Sequence, residues 1–147
     1  MAPGAPAVFS QTAQYALQAM IYLASRTDGV PVLGQEISET VGIPQNYLSK
    51  IMHTLGHVGL VVAKRGKTGG YLLASDPGDI RIRSAIEAFD NLESLKYCVL
   101  GRMECSEESP CTAHEGWKEI VTLLNEFIEN TTIADLAQSA DDHTASV

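Results

Sequence analysis

Three cysteines and one histidine lie within a stretch of seventeen residues in this 147-residue chain. They are Cys98, Cys105, Cys111 and His114. Thiolates and imidazoles are side chains that bind iron–sulfur clusters and zinc. Cys111 and His114 are three positions apart, so a helix would present both on one face. The four side chains could therefore converge on one small centre, and we favour an iron–sulfur cluster.

The same residues allow three other interpretations. A zinc site with these four ligands is one, although structural zinc sites usually contain Cys-x-x-Cys pairs and this segment has none. A thiol switch without metal is another, because Cys98 and Cys105 could oxidise. The third is a set of packed cysteines beside a surface histidine. The scarcity of apolar residues in this segment argues against that interpretation.

Charge is unevenly distributed along the chain, whose formal net charge is −8. Residues 97–147 contain two basic and ten acidic side chains, whereas residues 1–96 contain eight of each. No acidic residue lies between Glu39 and Asp76. The basic residues of that interval are Lys50, Lys64, Arg65 and Lys67. A phosphate backbone could therefore bind there despite the overall negative charge.

Helical periodicity and turn residues predict three helices between Ser10 and Gly59, and the second and third of them form a helix-turn-helix. Ser10 is a good N-cap for a first helix that ends near residue 25. A second helix over about residues 34–41 ends at Gly42, and a third begins at Ile43-Pro44 and runs to Gly59. Two helices joined by so short a turn form the helix-turn-helix motif, in which the second helix enters the major groove.

Polar side chains on the third predicted helix are candidates for DNA contact. Asparagine can read adenine, and lysine can contact guanine or a phosphate. An ordinary solvent-exposed helix face is the alternative interpretation. The predicted contact set on this helix is Asn46, Tyr47, Ser49, Lys50 and His53.

A basic β-hairpin follows the third helix. Residues 60–64 and 71–74 are rich in β-forming side chains, and the sequence between them is glycine-rich. Such a hairpin can insert a narrow basic tip into a minor groove, whereas the alternative is a solvated turn. The predicted contact set on this wing is Lys64, Arg65, Lys67 and Gly69.

The C-terminal third contains an apolar stripe at helical spacing. Ser109-Pro110 is a good start for a long fifth helix, and Thr131-Thr132 could cap a short last helix ending near Ala137. The stripe is wider than a small winged-helix core can cover, which predicts a homodimer. Its members are Trp117, Ile120, Val121, Leu124, Phe127 and Ile128.

The predicted fold is mainly α with a small β-hairpin, a winged helix-turn-helix followed by a long C-terminal dimerisation helix. The predicted divisions are a flexible tail (1–8), the DNA-binding domain (9–90), a cysteine loop (91–110), the dimerisation helix with a terminal segment (111–137) and a second flexible tail (138–147). No basic signal segment or long apolar run is present, so we expect a cytoplasmic protein. No nucleophile is paired with a base, and we do not expect an enzyme.

Taken together, these features resemble the winged helix-turn-helix transcription regulators of the IscR and NsrR type, from about Phe9 to Ala137. The matching sequences are Tyr15-Ala-Leu17, Ile43-Pro44, Tyr47-Leu48, Gly59-Leu60-Val61, Arg65-Gly66, the run 69–74 and the cysteine loop. The resemblance implies a homodimer that binds palindromic promoter DNA, with Arg65 the most secure of the matched contacts. Because Ser49 and Lys50 differ from the IscR-like pattern, the preferred operator is not implied.

The resemblance also implies that the three cysteines bind a cluster, with His114 as the IscR-like fourth ligand. Gln14 occupies the position where NsrR-like proteins have a ligating aspartate, which favours a two-iron cluster over a four-iron one. Cys98 and Cys105 are separated by six residues rather than five, so a 4Fe–4S cluster is the alternative to 2Fe–2S.

The expected function is that of a homodimeric regulator whose operator affinity is controlled by the cluster in response to redox state, nitric oxide or iron–sulfur status. The alternative is a winged-helix regulator that is cofactor-free or works through zinc or thiols. A small iron–sulfur redox protein is less favoured, because it would leave the basic hairpin without a purpose.

Overall fold

Six α-helices and one two-stranded antiparallel sheet make up the described part of the chain. A computed structural model describes residues 7–96, 108 and 112–144. The elements are α1 (Gln11–Ser25), α2 (Gly34–Val41), α3 (Gln45–His57), β1 (Val61–Lys64), β2 (Gly70–Leu73), α4 (Ile82–Glu87), α5 (His114–Asn130) and α6 (Ile133–Thr144). This is the mainly helical architecture with one hairpin that the sequence predicts.

Helix α1 forms the centre of the fold. The Ser10 side chain caps it by accepting a hydrogen bond from the Ala13 N–H at 3.1 Å. Small residues on its buried side let other helices approach closely, and α1 packs against α2, α3, α4 and α6. The buried side chains of α1 are Ala13, Ala16, Ala19, Met20 and Leu23.

The helix-turn-helix forms where the sequence predicts it. Gly42 ends α2 in the left-handed conformation with a φ of 81°, and its N–H donates to the Ser38 carbonyl at 2.9 Å. Helix α3 begins two residues after Ile43, which is itself fully buried. The tight turn and the buried isoleucine hold α2 and α3 at a defined angle.

The hairpin is joined to the strand-like residue that precedes α2. Val61 pairs with Leu73 and Lys64 pairs with Gly70 in the antiparallel register. Val32 adds an isolated bridge to Tyr71, on the other side of β2. A third short extended segment therefore flanks the hairpin and connects it to the helix-turn-helix.

The end of α5 is tied to the segment that precedes α4. Ile82 N–H donates to the Thr131 carbonyl at 2.9 Å, and Ile133 N–H donates to the Ile80 carbonyl at 2.8 Å. Both Ile128 and Ile133 are fully buried in the same core as α1 and α3. The C-terminal end of α5 therefore belongs to the body of the DNA-binding module.

The last helix is longer than predicted. Thr132 caps it, since the Asp135 N–H donates to the Thr132 hydroxyl at 3.2 Å and the Asp135 carboxylate accepts from the Thr132 N–H at 2.9 Å. The helix was expected to end near Ala137, but it continues to Thr144, so the first part of the expected tail 138–147 is helical. None of the helices in the described ranges is long and apolar enough to cross a membrane.

Candidate nucleic-acid interface

The third helix separates its side chains cleanly between core and solvent. Leu48, Ile51, Met52 and Leu55 are buried against the rest of the domain. The predicted contact residues Asn46, Ser49, Lys50 and His53 are all exposed. Amphipathic periodicity explains this outcome, because three or four residues correspond to one helical turn.

Tyr47, a predicted DNA contact, also packs against helix α1. Its hydroxyl oxygen lies 2.5 Å from the Thr12 hydroxyl oxygen on α1. Its ring meets the Tyr15 ring edge to face, with centroids 5.7 Å apart and an interplanar angle of 83°. Tyr47 therefore holds the first turn of α3 against α1. These contacts join residues 35 and 32 positions apart, and no local pattern signals them.

The predicted basic residues surround the tip of the wing. Lys64, Arg65 and Lys67 are exposed. The Gly69 N–H donates to the Gly66 carbonyl at 3.0 Å, which closes a four-residue turn, and Gly66 has a φ of 105°. Thr68 is also exposed at this tip, although the sequence analysis did not single it out.

Gly69 shapes the tip by having no side chain. It is buried, and a Cβ atom there would lie 2.4 Å from the Lys64 carbonyl oxygen and 2.9 Å from the Gly66 carbonyl oxygen. The glycine therefore allows the two sides of the turn to close, and any contact it makes with DNA would come from its backbone.

Recognition helix and wing border one groove of about 510 Å³. Side chains of α3, including Ser49 and His53, line one side, and β1 residues such as Val62 line the other. His57 also lines this groove, and sequence analysis did not assign it a role. Both sides of this groove therefore come from the interval between Glu39 and Asp76, which contains no acidic residue.

A polar cluster fixes α2 to α1. The Tyr22 hydroxyl donates to the Glu36 carboxylate at 2.7 Å, and the Arg26 guanidinium pairs with the same carboxylate. The hydrogen bond from Tyr22 and the positive charge of Arg26 lower the pKa of Glu36 below its ordinary value. Arg26 also pairs with Asp28 at 3.4 Å, and the pKa of Asp28 is lowered chiefly by the hydrogen bond from the Val30 N–H.

Of the predicted cluster ligands, only His114 lies among the described residues. It is the first residue of α5 and is 4% exposed. Within the part of the chain that the structure describes, no three metal-binding side chains come together. Cys98, Cys105 and Cys111 lie outside that part. The donor set of three thiols and a buried imidazole remains chemically suited to an iron–sulfur cluster.

The predicted apolar stripe of α5 divides between two environments. Ile128 is fully buried, and Leu124 packs against the core. In contrast, Ile120 and Phe127 are 57% and 53% exposed. Leu123, which was not in the predicted stripe, is 65% exposed. The unburied apolar face of α5 is therefore centred on Leu123 and is narrower than the predicted stripe.

A helix-turn-helix followed by a basic hairpin defines a winged helix-turn-helix DNA-binding protein. The chain belongs to the Rrf2 family, described as iron-dependent transcriptional regulators, whose family model matches residues 9–139. It is a transcription regulator, and its relatives are regulators rather than enzymes.

Two relatives illustrate the similarity in sequence. An HTH-type regulator of Aquifex aeolicus (strain VF5) is 37% identical over 138 residues, covering 92% of this chain and 95% of the relative. The HTH-type transcriptional regulator IscR of Cronobacter sakazakii (strain ATCC BAA-894) is 33% identical over 128 residues, covering 87% of this chain and 78% of the relative.

Two solved structures share the fold. CymR, the global cysteine regulator of B. subtilis, superposes with a TM-score of 0.77 at 28% identity, covering 91% of this chain and 98% of CymR. T. potens IscR superposes with a TM-score of 0.74 at 28% identity, covering 95% of this chain and 91% of that protein.

Proposed function

We propose that this Rrf2-family regulator is a homodimer whose affinity for promoter DNA is controlled by an iron–sulfur cluster bound to Cys98, Cys105, Cys111 and His114. The observation that supports DNA binding most directly is the groove between α3 and the wing, both of which come from a sequence interval without acidic residues. The cluster is supported by the donor set and by the relationship to IscR.

In this proposal α3 enters the major groove and the wing reaches the adjacent minor groove. Asn46 and Lys50 lie on the exposed side of α3, where they can meet base edges or phosphates. Ser49 and His53 contribute to the same face. Arg65 lies next to Gly66 at a narrow tip, which suits insertion into a minor groove with strong negative potential.

The exposed apolar face of α5 supports dimerisation through this helix. Ile120, Leu123 and Phe127 lie at spacings of three and four residues, so they share one side of the helix. A second copy related by twofold symmetry would cover the same three side chains in both subunits. Two recognition helices would then contact the two halves of a palindromic operator.

The cluster would supply iron that reacts with oxidants or nitric oxide at this position. His114 contributes a buried imidazole at the first residue of α5. Because that helix carries the proposed dimer face, a change in the segment that ends at His114 can alter how the two subunits are arranged. An altered arrangement would change the spacing of the two recognition helices on DNA, and allosteric couplings are typically worth about 1–3 kcal/mol.

Thiol regulation is the second candidate function. It is favoured by the similarity to CymR, whose structure is described as that of a global cysteine regulator. In this version Cys98 and Cys105 would be oxidised to a disulfide by an external oxidant, without iron. A zinc-bound segment is the remaining alternative.

Purification without oxygen, followed by DNA binding, separates these candidates. A duplex that binds the protein is first selected from a random DNA library. Its affinity is then measured for the cluster-loaded and metal-free proteins and for a variant with Cys98, Cys105 and Cys111 all replaced by Ala. The proposal expects a visible iron–sulfur absorption spectrum in the wild type only, and different affinities for its two forms.

Other results would contradict the proposal in identifiable ways. A colourless wild type supplied with iron and sulfide, binding DNA like the triple variant, would remove the cluster from the mechanism. Affinity that responds to oxidant in the metal-free wild type, but not in the triple variant, would support the thiol switch instead. Bound zinc in a colourless protein would support the zinc site.

A further inference from the structure

The start of α1 is bonded to Asp90, three residues beyond the end of α4. The Asp90 carboxylate accepts a hydrogen bond from the Ser10 N–H at 2.8 Å, and a second one from the Ser10 hydroxyl. Ser10 and Asp90 are eighty positions apart in the chain. Ser10 is also the N-cap of α1, so its hydroxyl serves the helix and Asp90 together.

The first turn of α1 continues this connection to the recognition helix. Thr12 follows Ser10 by two residues, within the turn that Ser10 caps. The Thr12 hydroxyl lies 2.5 Å from the Tyr47 hydroxyl at the start of α3. Loss of the cap would fray this turn, and the Thr12 side chain would then lose its fixed position relative to Tyr47.

The connection reaches one of the candidate base-reading residues. The Asn46 side-chain oxygen accepts a hydrogen bond from the Tyr47 N–H at 3.0 Å. Residues at the N-terminal end of a recognition helix are those that contact base edges in helix-turn-helix proteins. A shift of Tyr47 would therefore change where the Asn46 amide is presented to DNA.

Asp90 also lies directly before the cysteine segment, which is the predicted cysteine loop of residues 91–110. A short 3₁₀ helix, Leu92–Lys96, follows it, and Cys98 is eight residues beyond Asp90. The Arg83 side chain on α4 pairs with Glu129 near the end of α5 at 2.8 Å. Helix α4 is thus linked to the chain on both sides of the cysteine segment. The Arg83 pair links it to α5, which follows that segment, and Asp90 links it to the 3₁₀ helix Leu92–Lys96.

We propose that the Asp90–Ser10 bonds, the first turn of α1 and the Thr12–Tyr47 bond form a relay that couples the cysteine segment to the recognition helix within a single subunit. Asp90 and Thr12 are positioning residues in this relay. They hold α3 in the orientation that one state of the cysteine segment requires. The relay rests on the proposed function, and it acts in addition to any change in the spacing of the two subunits.

The test compares coupling rather than affinity alone. For each protein, the dissociation constant for the selected DNA duplex is measured in the cluster-loaded and metal-free forms, and the ratio of the two constants is calculated. The variants are Asp90→Ala, which removes both bonds to Ser10, and Thr12→Val, which removes one hydroxyl at nearly constant volume. Asp79→Asn is the matched control, because it removes one negative charge from an exposed position that lies outside the relay.

Both relay variants should move the ratio towards one by about threefold or more, while each still binds the duplex. Asp79→Asn should keep the wild-type ratio. The ratio for the double variant Asp90→Ala/Thr12→Val should differ from the wild-type ratio no more than that of the stronger single variant does, because both substitutions act on one connection. Thermal unfolding checks that the variants are folded, and Thr12→Val carries the test if Asp90→Ala is not.

Three results would overturn the relay. A wild-type ratio far from one that is retained in Thr12→Val would overturn the relay alone and leave the proposed function standing. A wild-type ratio of one would overturn the relay together with the cluster-controlled function. An equal loss of affinity in both forms would show that the bonds only stabilise the fold, which also contradicts the relay.

Discussion

Val32 and Tyr71 exchange two backbone hydrogen bonds, at 3.0 Å from the Val32 N–H and at 2.8 Å from the Tyr71 N–H. This bridge connects a residue two positions before α2 to the second strand of the wing. Because β2 pairs with β1 on one edge and with Val32 on the other, the base of the wing is tied to the segment that leads into the helix-turn-helix.

Gly70→Ala should disrupt this junction. A Cβ at Gly70 would lie 2.4 Å from the Val32 carbonyl oxygen, and the φ of 144° is unfavourable for alanine. We expect a loss of about 1–3 kcal/mol in the free energy of unfolding, measured by urea denaturation. Gly56→Ala is the control, since its Cβ would meet no atom closer than 3.8 Å. Equal stability of the two variants would contradict the tight contact.

Arg65→Ala should weaken DNA binding without changing the fold. The side chain is exposed at the wing tip, so its removal leaves no cavity. Loss of one phosphate or base contact should cost about 1–3 kcal/mol of binding free energy, measured by fluorescence anisotropy with the selected duplex. Lys118→Ala removes the same charge from an exposed position on α5 and should have little effect. Unchanged affinity in Arg65→Ala would remove the wing from the interface.

Leu123→Glu should convert the proposed dimer into monomers. Leu123 is 65% exposed at the centre of the apolar face of α5, so a glutamate there would not disturb the core of the subunit. Burying that charge between two subunits would be costly. Light scattering after size-exclusion chromatography measures the mass, and Thr122→Glu, at an exposed neighbouring position, is the control. A dimer that survives Leu123→Glu would place the interface elsewhere.

The cluster of Tyr22, Arg26 and Glu36 should make stability depend on pH. The pKa of Glu36 is lowered in the folded protein, chiefly by the Tyr22 hydrogen bond, so its carboxylate stabilises the fold above its ordinary value of 4.5. That contribution is lost as the pH falls through the lowered pKa. Tyr22→Phe should therefore destabilise the protein more at pH 7 than at about pH 3.

Urea unfolding of both proteins at the two pH values measures this difference. Asp28, whose pKa is also lowered, titrates in both proteins, so it largely cancels in the comparison. A gap between wild type and Tyr22→Phe that widens on acidification would contradict the assigned role of Tyr22.

The sequence alone predicted the order of the elements but not every boundary, since α5 begins at His114 rather than after Ser109-Pro110 and α6 continues to Thr144. Ser10, Gly42 and the glycines of the wing are local signals, because caps and turns depend on the conformation of one or a few residues. The exposed positions on α3 followed from helical periodicity, and the acid-free interval is a property of the sequence itself. The family resemblance was therefore recognisable before any tertiary contact was known.

Only the tertiary structure decided which side chains serve the fold and which remain available. Tyr47, which is predicted to contact DNA, is also bonded to Thr12 on another helix, and it remains 37% exposed. Part of the predicted α5 stripe packs into the core and part is exposed. Leu123, which the predicted stripe did not include, lies on the exposed part. Such outcomes depend on contacts between residues far apart in the chain, and a local pattern cannot encode where a helix surface will meet another element.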